Sequence, residues 1–89
     1  MATFFLAEIL PEHYESFRKI LSQNLPDNFD AWSYLHSERV AARTGKGHVV
    51  YEVKVNPDEF TRYCQATNSV HDLQSLDRFA TEKAGGKRY

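Results

Sequence analysis

Arg43 to Val53 reads RTGKGHVVYEV. A lysine between two glycines is a pattern in which backbone amides and an ammonium can cradle a phosphate. Order and spacing decide whether it does. A phosphate loop needs a strand, then G-x-x-x-x-G-K-[ST], then a helix whose N-terminus faces the anion. Here Gly45-Lys46-Gly47-His48 lacks that spacing, and the flanking patterns run in reverse, with a helix before the loop and a strand after it. The loop therefore sits at the carbonyl end of a helix, which repels anions. The plainer expectation is a helix stop. Gly45 would take the left-handed conformation that ends a helix, and Lys46 is favourable beside the negative helix end.

The same region carries the most interesting surface. Arg39 and Arg43 lie one turn apart on the expected helix, and Lys46 and His48 follow. Arg39, Arg43, Lys46 and His48 are the candidate partner-binding residues. Clustered cations suit phosphates or an acidic protein. Nucleic-acid modules add a larger Lys/Arg excess or aromatic rings on a sheet face. Tyr51 is one such ring, but it alternates with valines expected in the core. An ordinary solvated face is therefore the first expectation, an acidic protein partner the next and nucleic acid the last.

Catalytic and metal chemistry find less support. His13, His36, His48, His71 and Cys64 are scattered, with no i,i+4 histidine pair and no C-x-x-C. Cys64 falls on the apolar face of its expected helix, where a thiol is buried and inert. The acid pairs Asp27/Asp30 and Asp58/Glu59 sit at expected helix starts, where carboxylates belong for capping. No G-x-S-x-G, H-E-x-x-H or glycine-rich dinucleotide loop is present. No catalytic residue, metal site or cofactor is expected. The rival is a small enzyme with a site between subunits, using His36, His48 or Cys64.

Composition frames these candidates. Eighty-nine residues make one domain. A chain of this size buries roughly 60–65% of its unfolded surface, enough for one modest core. Any site should be a surface groove or lie between two copies. Net charge is −1, so nothing pulls the whole molecule toward nucleic acid or anionic membrane. Residues 1–30 hold five acids against two bases, whereas residues 31–54 hold two against four. One cysteine excludes an intrachain disulfide and suggests a reducing compartment. The start MATFFLAEILPEH lacks a basic region, and glutamates interrupt its apolar run, so it reads as neither signal peptide nor membrane span. Cytoplasmic residence is the expectation.

Elements follow from periodicity. TFFLAEIL (Thr3 to Leu10) reads as a strand with Phe5, Ala7 and Ile9 on one face. Pro11 opens a helix carrying Tyr14, Phe17 and Leu21. After the break NLPDN, Asp27 or Asn28 caps a second helix with Phe29, Trp32, Leu35 and Val40 inward, running to about Arg43. HVVYEVKV (His48 to Val55) is the clearest strand. NPDEF combines an Asn56 cap, Pro57 in the first turn and two acids, and opens a helix with Phe60, Tyr63 and Cys64 inward. A last helix is expected from Val70, capped by Ser69, with Leu73, Leu76, Phe79 and Ala80 inward, ending at Gly85 and Gly86.

The order β-α-α-β-α-α predicts an α+β domain over residues 1–84, about four helices on a small antiparallel sheet, with a flexible tail over 85–89. The alternative is a mostly helical chain with one short hairpin. ERVAAR offers a third strand hairpinned through TGKG, but Ala41 and Ala42 suit a helix better. Two strands alone are marginal in water, and their edges invite pairing with another chain. Eleven aromatic residues besides Trp32 are also more apolar surface than one small core readily takes. A homodimer, joining two such sheets across a two-fold axis, is therefore expected. The function that fits is non-catalytic: a small cytoplasmic interaction or regulatory protein.

Overall fold

Alternation decides the two strands, β1 (Thr3–Ile9) and β2 (Val49–Val55). Their β-branched and aromatic residues suit a pleated ladder. A computed structural model describes residues 1–86 and pairs the strands in parallel, Thr3 opposite Val49 through Ile9 opposite Val55. The expected antiparallel sheet is thus corrected. Some forty residues separate the strands, including two helices, α1 (Tyr14–Ile20) and α2 (Phe29–Thr44). A crossover of that kind returns the chain to the same end of the sheet, whereas antiparallel neighbours are joined by short turns. The hairpin alternative fails as well, because Glu38 to Arg43 belong to α2. The remaining elements are a 3-10 turn at Pro11–His13 and the helices α3 (Pro57–Thr67) and α4 (Leu73–Ala84). The result is one α+β domain with four helices and a two-stranded parallel sheet, in the order β-α-α-β-α-α.

Helices α2, α3 and α4 start where a side chain satisfies their first amides, whereas α1 follows directly from the 3-10 turn without such a cap. The Asn28 side chain accepts from Ala31 N at 2.8 Å. Asn56 accepts from Asp58 N and Glu59 N at 2.8 and 3.2 Å, with Pro57 at the first position. The last helix starts later than expected. Asn68 takes the left-handed conformation (φ 55°) and ends α3, Val70 is exposed, and Asp72 rather than Ser69 is the cap. The Asp72 carboxylate accepts from Ser75 N at 2.7 Å, and that bond holds its pKa below the ordinary carboxylate value. At the end of α2 the two glycines exchange their expected roles. Gly47 is left-handed (φ 84°), while Gly45 is ordinary helical backbone. Gly45 is needed for space, since a Cβ there would lie 3.0 Å from the Ala41 carbonyl oxygen. Gly85 and Gly86 follow the end of α4 as a turn, and residues 87–89 of the expected tail lie outside the described residues.

Parity along the strands sorts the sheet into two faces. Ala7, Ile9 and Val55 share one face and join a core built with Phe79, Leu76 and Ala80 of α4 and Phe60, Tyr63 and Cys64 of α3. Phe4, Leu6 and Glu8 share the other face with Val50, Glu52 and Lys54, and α2 lies over it. Helix α1 bridges the layers. Its Phe17 ring meets Phe60, and its Tyr14 ring meets Phe29 and Trp32. The Tyr14 hydroxyl donates to the Pro26 carbonyl at 2.6 Å, so the buried phenol is satisfied and pins the loop before α2.

Trp32 is buried, as its position on α2 implies. Tyr14, Phe29 and the His36 ring surround it, the last stacked at 4.8 Å, while Phe17 and Tyr63 gather around Phe60. Leu35, expected inward, is half exposed because His36 occupies the inward position one residue later. Trp32→Ala should cost about 3–5 kcal/mol of stability in urea denaturation, since both a large transfer term and a cavity are involved. An unchanged midpoint would remove Trp32 from the core.

Candidate functional site

Three of the four basic candidates come together around one ring. Arg43, Lys46 and His48 line a shallow cavity of about 280 Å³ with Phe4 and Ala42. The final turn of α2 presents Arg43, and the Gly45–Gly47 turn presents Lys46 beside the start of β2. The Arg43 guanidinium lies 5.2 Å from the centre of the Phe4 ring, a cation–π distance, and donates to the Arg39 carbonyl at 3.1 Å. The His48 ring stands edge-on to Phe4 at 5.3 Å. Its Nδ1 accepts from Ala2 N at 3.0 Å, so the neutral ring carries its proton on Nε2. The cavity thus offers cationic and N–H donors and suits an anionic group. The α2 carbonyls behind it are occupied, with Ala41 O accepting from Gly45 N and Arg43 O from Lys46 N and His48 N.

Arg39 stands apart from this trio. Its guanidinium is held 2.7 Å from Asp77 Oδ2 on α4. The other Asp77 oxygen, Oδ1, accepts from the backbone N–H of Ala7 at 3.0 Å. One carboxylate thereby ties α2, α4 and the outer edge of β1 together, with both its oxygens used. Beside it a larger cleft of about 540 Å³ runs along that edge, lined among others by Thr3, Phe4, Phe5, Arg43, Asp77 and Arg78. Phe4 and Arg43 line both cavities, so the two adjoin. Phe4, Asp77 and Arg78 escaped the reading of the sequence. Nothing local marks them, because strand pairing and the docking of α4 bring them to Arg43 from far away in the chain.

The groups available to an enzyme are dispersed. His36 is buried against Trp32, with Nε2 2.7 Å from Glu52 Oε1, and its buried Nδ1 meets no partner among the described residues. His48 is committed at Nδ1 as above. Cys64 is buried, with Sγ 3.8 Å from the Val70 carbonyl oxygen. Burial, and secondarily the Asp72 charge, pushes its thiol pKa up, which disfavours the nucleophilic thiolate. Among the described residues, no group of three or more His, Cys, Asp or Glu is placed to hold a metal ion. Glu59 is paired with Lys83 at 3.1 Å and Asp27 with Arg18 at 3.5 Å.

No family model, no curated protein and no solved structure matches this chain. Its function must therefore be argued from these residues. Among the described residues no helix is long and apolar enough to cross a membrane.

Asp77→Ala strands the Ala7 amide and the Arg39 guanidinium at once and should cost about 1–3 kcal/mol in urea denaturation. Asp77→Asn keeps an acceptor for Ala7 and should lose measurably less. Equal losses would show that the amide cap contributes nothing.

Proposed function

We propose that this chain is a small non-catalytic interaction or regulatory protein of the cytoplasm that acts through protein–protein binding as a homodimer. The observation that carries this reading is the outer face of α2. A helix on a protein surface ordinarily turns its charged side to water. Here Ala31, Tyr34, Leu35, Glu38, Ala41 and Ala42, spaced by three or four residues, are all exposed. Tyr34 is 67% and Leu35 51% accessible, and Glu38 is the one charge in the stripe. Large exposed apolar side chains flanked by alanines let two helices approach closely and bury both faces.

A two-fold axis near Tyr34 and Leu35 makes an isologous contact in an antiparallel pair, with Tyr34 of one copy on Leu35 of the other and Glu38 lying against Ala31 rather than against its own copy. This interface differs from the joined sheet expected from the strands alone. It leaves the cleft along β1 on the far side of α2 open to a second partner. The enzyme reading has less support, because His36, His48 and Cys64 are engaged at separate places and their partners are structural.

Light scattering at high micromolar concentration should give twice the chain mass of 10.3 kDa. Leu35→Glu should reduce that to the monomer without loss of helical signal, since residue 35 is half exposed. A mass of 10.3 kDa for the unaltered protein would defeat the dimer.

A further inference from the structure

The bond from Val49 N to the Ala2 carbonyl sets the parity of the ladder, so even-numbered residues of β1 turn their backbone groups toward β2. Odd-numbered residues turn theirs outward. The Ala7 amide, taken by Asp77, confirms this, since it points away from β2. The N–H and C=O groups of Thr3 and Phe5 therefore face the 540 Å³ cleft, and no side chain among the described residues hydrogen-bonds to them. We infer that this cleft binds an extended acidic segment of another protein, which adds to the outer edge of β1 as a third strand.

Charge chooses the occupant. Arg43 and Arg78 flank the open edge, and Lys46 and His48 continue the basic surface beyond Phe4. The acid in the cleft, Asp77, is already balanced by Arg39. Main-chain hydrogen bonds would supply affinity, and alternate acidic side chains on the α2 face reaching Arg43 would supply specificity. A second copy fits poorly. Two β1 edges paired about a two-fold axis, Thr3 opposite Phe5, bring Phe4 to the axis and set Arg43 against Arg43, a like-charge contact. Asp77 also limits the open length, because it closes the edge at Ala7. The docked stretch is short, three or four residues opposite Thr3 to Phe5.

This surface is separate from the α2 dimer face, so the two readings fail separately. The test uses the full chain and an acetylated, amidated hexapeptide of alternating Val and Glu, with amide chemical shifts as the readout. The Thr3 and Phe5 amides should move in a saturable way at millimolar peptide or below, and equally in the monomeric Leu35→Glu variant. Arg43→Gln should weaken binding about tenfold, the loss of one charge-assisted contact. A peptide with Lys in place of Glu, and one N-methylated at alternate residues, should not bind. The N-methylated peptide keeps the test valid should any protein variant unfold. No shift at Thr3 and Phe5, or shifts that survive N-methylation, would overturn strand addition. Tighter binding of a short oligothymidylate at the same residues would overturn the peptide class.

Discussion

The parallel ladder between β1 and β2 is the constraint from which the rest follows. Two parallel strands cannot be joined by a turn, so the chain must travel back along the sheet before it pairs. Helices α1 and α2 make that journey, and α2 then covers the face that carries Leu6 and Glu52. Two strands also cannot hold together alone. The opposite face, with Ala7, Ile9 and Val55, is sealed by α3 and α4 through Phe60, Leu76 and Phe79. Helices thus lie on both sides of the sheet, the usual setting for parallel strands, although Tyr51 and Glu52 of β2 remain exposed.

Closing two faces leaves two edges. Asp77 treats one of them locally by taking the Ala7 amide, and Lys83 treats the other by donating to the Lys54 carbonyl at 3.2 Å. Both come from α4, which therefore clasps the sheet across its width. The clasp on the β1 side ends at Ala7. Below it Thr3 and Phe5 stay open in the cleft that Arg43 lines, so unpaired strand backbone lies where the basic residues gather. Arg39 is held by Asp77, while Arg43, Lys46 and His48 line the neighbouring cavity.

How much of this was legible depends on sequence distance. Asn56-Pro57-Asp58-Glu59 announces a helix start because every interaction in it spans three residues or fewer. Arg43, Lys46 and His48 could be grouped because one helical turn and one loop bring them together. The pairing of Arg39 with Asp77 crosses 38 positions and leaves no local trace. Strand direction is hidden for a related reason, since alternation reads the same forward and backward; only the helical crossover carries the information. On α2 the inward stripe holds His36, Arg39 and Arg43 beside Phe29 and Trp32, so polar residues disguise the buried face and apolar Leu35 mimics part of it. Two competing caps, Ser69 and Asp72, explain the late start of α4. Asn68 in the left-handed region sends the chain outward first, and only Asp72 then meets an amide three residues on.

Hydrogen–deuterium exchange of the β1 amides tests the central claim most directly, because adjacent residues must behave differently. Phe4, Leu6 and Glu8 should be protected by the ladder and Ala7 by Asp77, while Thr3 and Phe5 exchange quickly despite lying in the same strand. Protection of Phe5 as strong as that of Leu6 would mean that the edge is closed, and the account of an open binding edge on β1 would be contradicted.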